Sequence, residues 1–239
     1  MPKSRFVIAT HPRTGSNWLC GVLNSHPSIL CHYEVLHPKQ IYYAMTYAER
    51  RPQFLPSLAD RDADPRAFID DLFERDFGHQ AVGVKLMHGH APQLTGELLR
   101  DPSVRKIVLR RENRVRVFLS VKRATRAGKF THLSYHGKPI ELDPAELRAF
   151  SREYDEYFAW VDRHLVRQDF LRVSYERLFD CGEVDRVLEF LGVTGVDESS
   201  LEAEHSRQSH DTLREAISNF AELERKLART ELAAELAAA

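Results

Sequence analysis

The amino-acid sequence predicts an α/β fold in which helices flank a central parallel sheet. Short apolar runs alternate with amphipathic stretches along the chain, which is the pattern of parallel strands connected by covering helices. Hydrophobic residues make up 43% and charged residues 29% of the 239 residues, as in an ordinary globular protein. Since neither a linker nor a repeat interrupts the pattern, we expect a single domain over residues 1–239.

Five short apolar runs are predicted to form the strands. The first, RFVIAT, is apolar on both faces and ends at His11-Pro12. Continuous apolar runs of this length are typical of strands that are buried on both sides of a parallel sheet. The predicted strands are residues 5–10, 29–33, 81–87, 106–110 and 170–174.

Helices are predicted between these strands. The run WLCGVL puts apolar side chains on one face of a helix over residues 15–26. Asp64, Asn113 and Asp143 each stand where a capping side chain opens a helix, and proline follows Asp64 and Asp143 at the first helical position. A further helix is expected over residues 92–100.

One C-terminal helix is predicted from the spacing of Leu213, Ile217, Phe220 and Leu227. The last residues, LAAELAAA, favour a helix but have little to bury. We therefore expect this end of the chain to fray.

The charges argue against a general nucleic-acid or membrane-surface binder. There are 34 basic and 35 acidic residues, a net charge of −1, whereas such binders are usually plainly basic. Residues 105–129 nevertheless hold ten basic residues and a single acid, Glu112. Such a local cluster indicates either a compact polyanion, such as a nucleotide with several phosphates, or a solvated helix face.

The cysteines predict a reducing compartment. Cys20, Cys31 and Cys181 are odd in number and widely spaced, with no CxxC pair. This pattern disfavours both a disulfide framework and a zinc knuckle. No apolar run approaches the roughly 18 residues of a membrane span, and the apolar stretch near the N-terminus is too short for a signal peptide. We expect a cytoplasmic protein without a transmembrane segment.

The segment HPRTGSN, residues 11–17, joins the first predicted strand to the first predicted helix. A tight turn that opens a helix directs free backbone N–H groups and the positive end of the helix dipole at one point, which makes an anion site. Gly15 lets a phosphate approach the backbone, and Arg13 adds a fixed positive charge. The sequence therefore predicts a phosphate-binding loop, although Thr14 and Ser16 could instead merely cap the helix.

This loop is not the usual nucleoside-triphosphate loop, which has the pattern G-x-x-x-x-G-K-[ST]. The segment has one glycine and no lysine, and no predicted strand ends in an aspartate that would hold a magnesium ion beside it. The pattern favours a nucleotide that is handled without a metal ion.

Two motifs occur in this order: PRTGSNWL after the first strand, and RREN before a helix that contains Ser120. In these motifs the sequence resembles the sulfotransferase family that uses 3′-phosphoadenosine 5′-phosphosulfate (PAPS). The loop is most similar to the bacterial and Golgi carbohydrate branch, because the cytosolic branch has a lysine where Arg13 stands. The segments VGVKLM and VSYERL are also typical of this family. The resemblance implies a three-layer P-loop-NTPase-like fold. It also implies sulfuryl transfer from PAPS to a hydroxyl of a carbohydrate, glycolipid or small-molecule acceptor.

The resemblance further implies which residues bind PAPS. Arg111 and Ser120 would bind the 3′-phosphate, and Arg207 is a further candidate for that group. Ser120 lies about 10 Å along an ideal helix from Asn113, so this phosphate is expected beside the helix rather than at its end. The loop residues that would bind the 5′-phosphosulfate are Arg13, Thr14, Gly15, Ser16, Asn17 and Trp18.

Glu34 is the first candidate for the base that removes the proton of the acceptor hydroxyl. It follows the second predicted strand, whose end should face the same edge as the phosphate loop, and it falls where bacterial members of the family have a glutamate. The alternative is a glutamate paired with a nearby arginine. His37 is the second choice for the base, and Arg13 is expected to neutralise charge on the leaving oxygen.

Lys85 and His88 are candidates for substrate binding. Lys85 lies in an otherwise apolar strand; if buried it needs a charged partner, which the phosphosulfate could be, or else it reaches water at an edge. His88 and His90 are expected to line the acceptor pocket, because two histidines with no neighbouring acid are weak metal ligands. No metal is expected, and residues 40–66 and 126–139 are candidate acceptor loops.

Two other functions remain open at this stage. A P-loop kinase-like enzyme would share the fold, but the missing lysine and the missing magnesium-binding aspartate argue against it. A nucleotide-binding module without catalysis would share the loop and lack turnover.

Overall fold

The computed structural model describes residues 4–44, 55–128, 138–180, 182–193, 201 and 211–238. These form two compact units. The first unit comprises the described residues within Met1–Arg110 and Trp160–Glu204, and the second those within Arg111–Ala159 and His205–Ala239. The single domain over residues 1–239 stays a prediction.

The first unit contains a five-stranded sheet in the order β2-β3-β1-β4-β5, in which every neighbouring pair is parallel. The predicted α/β fold with a central parallel sheet is confirmed. Because the strands are parallel, their carboxyl ends lie at one edge, where α/β folds commonly place their ligands. The strands are β1 Ser4–Thr10, β2 Ile29–His32, β3 Ala81–Met87, β4 Val104–Arg110 and β5 Phe170–Ser174.

The helices lie between and after these strands. Capping side chains open three of them as predicted, since Asp64 accepts from the N–H of Ala67, Asn113 from that of Arg116, and Asp143 from that of Glu146. In chain order the helices are α1 Ser16–Ser25, α2 Leu58–Ala63, α3 Pro65–Glu74, α4 Pro92–Arg100, α5 Arg114–Ala127, α6 Pro144–His164, α7 Glu183–Leu191, α8 Leu213–Ala216, α9 Phe220–Leu227 and α10 Leu232–Ala237.

The core of the first unit forms between the sheet and the helices α1 and α7. Phe6 of β1 is buried in it, and a Cβ built on Gly83 of β3 would lie 2.3 Å from the Phe6 ring. Gly83 therefore makes room for the aromatic ring on the neighbouring strand. Since α1 packs in this core, the position of its N-terminus beside the end of β1 is fixed.

The second unit has a separate core, built by α5, α6 and α8 to α10. The prediction of a single helix from Leu213 to Leu227 is wrong: the segment forms two short helices, α8 and α9. The chain leaves the helix at Ile217, which bridges to Ile140, and the Asn219 side chain hydrogen-bonds both the N–H and the carbonyl of Leu142. These non-local contacts outweigh the helical spacing of the apolar residues.

The expectation that the C-terminal segment has little to bury is also wrong. Leu232 and Leu236 of α10 are 4% and 5% exposed and belong to the second core. Two helices, α2 and α7, were not predicted from the sequence. Ser57 and Asp60 nevertheless form a capping box at the start of α2, a signal present in the sequence.

Candidate active site

The phosphate loop between β1 and α1 is fixed by hydrogen bonds of a buried side chain, Thr14. Thr14 is completely buried. Its hydroxyl lies 2.8 Å from the His11 carbonyl and 2.5 Å from the hydroxyl of Thr10, which in turn reaches the carbonyl of Leu109 on β4 at 3.0 Å. The side chain of Thr14 therefore fixes the loop, and its backbone is the part that can face a ligand.

The N-terminus of α1 carries no side-chain cap. Its N-cap is Gly15 in the left-handed conformation, with φ 86°, and this residue makes no side-chain hydrogen bond to the first turn. The alternative that Thr14 and Ser16 cap this helix is wrong. The first N–H groups of a helix have no partner within the helix, and with the helix dipole they attract an anion. The residues whose N–H groups begin α1 are Ser16, Asn17 and Trp18.

Gly15 is required for two reasons. Its φ lies where side chains are rarely tolerated, and a Cβ there would lie 2.7 Å from the ring of Tyr175. Tyr175 belongs to the VSYERL segment, and its ring contacts Phe179, which in turn contacts Trp18 at a ring-centroid distance of 4.8 Å. Trp18 thus packs at the margin of the first core, beside the phosphate loop.

We expect Gly15→Ala to lower the free energy of unfolding by about 2–4 kcal/mol, because backbone strain and overpacking against Tyr175 add. Gly78→Ala is the matched control, since Gly78 has φ 92° with nothing within 4 Å of a built Cβ, and it should cost about 1–2 kcal/mol. Chemical denaturation measures both. Equal losses in the two variants would show that the contact with Tyr175 has no energetic weight.

Lys85 connects the phosphate loop to Glu34. It lies on β3, is 1% exposed, and its Nζ donates to Asn17 Oδ1 at 2.5 Å and lies 3.0 Å from Glu34 Oε1. The Nζ also lies 5.5 Å from the centroid of the Tyr33 ring. Lys85 therefore has the charged partner that its burial requires. That partner is Glu34, so the ion pair of Glu34 is with this lysine and not with an arginine, the alternative that the sequence left open.

The backbone around Glu34 is held by Arg61 of α2. Arg61 is 4% exposed, and its Nη1 donates to the carbonyls of Val35 at 3.2 Å and His37 at 2.5 Å. Its charge is balanced by Asp62 at 2.6 Å. Sequence reasoning missed Arg61, because nothing local in the sequence shows which backbone a distant arginine will bind.

Histidine rings follow β1, β2 and β3 at the carboxyl edge of the sheet. His11 and His88 stack with centroids 5.0 Å apart, and the ring of His37 meets that of His90 edge-on at 5.1 Å. Burial lowers the pKa of His11 from 6.5 to about 4, opposed by its hydrogen bond to the Pro12 carbonyl and aided by the charge of His88. Burial also lowers the pKa of His90. These two rings are therefore neutral at pH 7.

Among the described residues, no group of three or more His, Cys, Asp or Glu side chains is arranged to hold a metal ion. None of the helices in the described part of the chain is long and apolar enough to cross a membrane.

In the second unit, Tyr154 fixes the backbone of Arg111. The N–H of Arg111 donates to the Tyr154 hydroxyl at 3.1 Å, and that hydroxyl donates to the Arg111 carbonyl at 2.8 Å. Ser120 is half-buried on α5. Arg207 lies outside the described residues.

Part of the basic cluster at residues 105–129 is structural. Arg114, 9% exposed, belongs to this cluster and is bound by Asp155 and by Glu235, whose Oε1 lies 2.5 Å from Arg114 Nη2. The other oxygen of Glu235 accepts from the N–H of Arg114 at 2.5 Å and of Val115 at 3.3 Å. Glu235 therefore occupies the N-terminus of α5.

We expect Glu235→Ala to lower the free energy of unfolding by about 2–4 kcal/mol, because it leaves the N–H groups of Arg114 and Val115 without their acceptor and removes a main partner of a largely buried arginine. Glu231→Ala is the control: Glu231 pairs with the same Arg114 at 3.5 Å but is 87% exposed, so its loss should be about 0–1 kcal/mol. Urea unfolding of both variants decides the matter. A small loss at Glu235 would contradict a structural role for this carboxylate.

Comparison with known proteins identifies the family. Residues 5–198 match the model described as "Sulfotransferase family". The chain belongs to this family. The resemblance drawn from PRTGSNWL and RREN is therefore confirmed, and the matched span of the sulfotransferase includes the phosphate loop, Glu34, Lys85, Arg111 and Ser120 but not Arg207.

The sulfotransferase is similar to curated proteins over nearly its whole length. It is 27% identical to nodulation protein H of Rhizobium meliloti (strain 1021), over 93% of this chain and 91% of that one. It is 28% identical to nodulation protein H of Rhizobium tropici, over 93% and 89% of the two chains.

Among solved structures, the sulfotransferase is similar to a sulfotransferase from Alicyclobacillus acidocaldarius, with a TM-score of 0.48 and 18% identity over 99% of this chain and 97% of that one. It is also similar to mouse sulfotransferase SULT7A1 complexed with PAP, with a TM-score of 0.43 and 13% identity over 99% and 89%.

Proposed function

We propose that this sulfotransferase uses PAPS as its donor and transfers the sulfuryl group to a hydroxyl of a carbohydrate, glycolipid or small-molecule acceptor by in-line displacement. The observation that carries the proposal is the chain of contacts from Asn17 through Lys85 to Glu34. It puts a carboxylate and a buried cation at the uncapped start of α1. A donor anion and a base for the acceptor are then held at one corner of the first unit.

The loop residues would hold the 5′-phosphosulfate. The N–H groups that begin α1 and the Arg13 guanidinium supply donors and positive charge where the bridging oxygen gains charge. The transferred sulfuryl group carries less charge than a γ-phosphoryl group, so this loop, together with Lys85, supplies the stabilisation that kinases obtain from magnesium.

Glu34 would act as the base, and His37 is the second candidate. As the acceptor oxygen forms its bond to sulfur, the bond between sulfur and the bridging oxygen breaks. The acceptor proton passes to the Glu34 carboxylate, and adenosine 3′,5′-bisphosphate leaves. The ion pair with Lys85 keeps the Glu34 carboxylate oriented. The Glu34 side chain is 24% exposed, so that an acceptor hydroxyl can approach the carboxylate.

Arg111 and Ser120 would bind the 3′-phosphate. This assignment rests on the resemblance and is supported by the hydrogen bonds that fix the Arg111 backbone. Arg207 is assigned to the same phosphate on the resemblance alone.

The acceptor would be bound by His88 and by the rings of His37 and His90 beside Glu34. Tyr42, 41% exposed, meets the His37 ring edge-on at 5.4 Å and extends this aromatic row outward. We also propose a cytoplasmic location, which is supported by the free, buried thiols of Cys20 and Cys31.

Titration calorimetry separates the proposed function from the kinase-like alternative. Adenosine 3′,5′-bisphosphate should bind in the presence of a metal chelator with a dissociation constant in the micromolar range, more tightly than ATP with magnesium. Tighter binding of ATP with magnesium would overturn the donor assignment. Transfer of labelled sulfate from PAPS to a panel of acceptors then separates an enzyme from a binding module.

A further inference from the structure

Tyr154 carries a hydroxyl where the core alone does not need one. Its side chain is completely buried on α6, and its ring packs against those of Phe150 and Phe158 at centroid distances of 6.0 and 4.9 Å. A phenylalanine would fill this space without a polar group that must be satisfied. The tyrosine hydroxyl both donates to and accepts from the backbone of one residue, Arg111.

Arg111 stands in a short stretch of irregular backbone. β4 ends at Arg110, and α5 begins after its N-cap Asn113, whose side-chain amide is held by the Glu235 carbonyl at 2.8 Å. Residues 111–113 lie in neither a strand nor a helix. The two hydrogen bonds with the Tyr154 hydroxyl, one accepted from the Arg111 N–H and one donated to the Arg111 carbonyl, therefore supply the partners that regular structure would otherwise give to this backbone.

We propose that Tyr154 is a positioning residue for Arg111 and that it thereby sets the preference of the sulfotransferase for a nucleotide with a 3′-phosphate. The inference rests on the proposed function of Arg111. An arginine whose backbone is already fixed loses less conformational freedom when its guanidinium binds a phosphate. Removal of the hydroxyl should therefore weaken the contact with the 3′-phosphate more than any other contact with the nucleotide.

The test is Tyr154→Phe, which keeps the ring packing and removes both hydrogen bonds. Calorimetry compares adenosine 3′,5′-bisphosphate with adenosine 5′-monophosphate, which differ by the 3′-phosphate alone. We expect about a tenfold loss of affinity for the bisphosphate and about a twofold loss or less for the monophosphate. A tenfold loss is the scale of two lost hydrogen bonds and a displaced Arg111 side chain. A fall in both affinities by the same factor would overturn the positioning role.

Ser151→Ala is the matched control. Ser151 is a buried residue of the same helix, and its hydroxyl donates to the Leu147 carbonyl at 2.8 Å rather than to Arg111. We expect this variant to leave the ratio of the two affinities unchanged. A shift in the ratio as large as that of Tyr154→Phe would mean that any lesion in α6 has this effect, and would overturn the inference.

Arg111→Gln distinguishes failure of the inference from failure of the proposed function. If Arg111→Gln leaves the ratio of affinities unchanged, the assignment of Arg111 to the 3′-phosphate is wrong. If it lowers the ratio and Tyr154→Phe does not, the positioning role alone is wrong.

A measurement on the unaltered protein keeps the inference testable if Tyr154→Phe does not fold. Hydrogen exchange should show the Arg111 amide protected before any nucleotide is added, because its partner is the Tyr154 hydroxyl. Exchange at the rate of an unprotected amide would overturn the inference.

Discussion

Glu34→Gln should reduce kcat for sulfuryl transfer by a factor of about 10²–10⁴, the usual contribution of a general base. The amide still accepts a hydrogen bond from Lys85 Nζ, which lies 3.0 Å from the native carboxylate, but it cannot take up the acceptor proton. The nucleotide contacts do not pass through this oxygen, so the affinity for adenosine 3′,5′-bisphosphate should change by less than about threefold. Initial rates at saturating donor and calorimetry measure the two quantities.

Glu146→Gln is the control for the loss of one negative charge from an ion pair. Glu146 pairs with Lys122 at 2.5 Å and is 57% exposed, so this change should leave kcat within about twofold of the wild type. If Glu34→Gln retains full activity and His37→Gln abolishes it, the base is His37, and the first assignment is wrong.

Arg13→Gln should reduce kcat by a factor of about 10²–10³, the effect of removing one preorganised donor from a developing oxyanion. Arg13 stands in the phosphate loop with φ 68° beside the uncapped start of α1. Its fixed charge and planar fork are suited to a phosphosulfate oxygen. Arg13→Lys should recover part of the activity, because it restores the charge without the fork.

The control for Arg13 is Arg5→Gln, in which an arginine at the other end of β1 loses its partner Glu74 at the surface. That change should leave kcat unaltered. If Arg13→Gln lowers the affinity for the nucleotide and leaves kcat unchanged, Arg13 stabilises the ground state and the transition state equally. That result would contradict its catalytic role.

Local signals in the sequence predicted the strands and the helix starts well. The apolar run of β3 and the Asp64-Pro65 start of α3 depend on neighbouring residues alone. The same holds for the phosphate loop, which needs a strand, a turn with glycine and a helix in succession. The family followed from motifs of this local kind.

Contacts between distant segments could not be predicted in this way. The sequence showed that Lys85 needed a partner, but only the sheet order, with β3 between β1 and β2, brings Asn17 and Glu34 to it. The roles of Arg61 and Tyr154 depend on which backbone carbonyl each meets after folding. Neither residue lies in a motif that states its partner.

The C-terminal end shows the same limit. LAAELAAA gives a weak apolar pattern, and nothing in it indicates that Glu235 would accept from the first N–H groups of α5. Leu232 and Leu236 of the same helix are buried in the second core. Amphipathic spacing predicts a helix, whereas its place in the fold depends on a partner more than 100 residues away.

A crystal structure with adenosine 3′,5′-bisphosphate tests the central claim most directly. The 5′-phosphate should lie within hydrogen-bond distance of the N–H groups that begin α1 and of the Arg13 guanidinium, with the Glu34 carboxylate facing the space that the sulfuryl group would fill. A bound nucleotide with neither phosphate at the start of α1 would contradict the assignment of the phosphate loop.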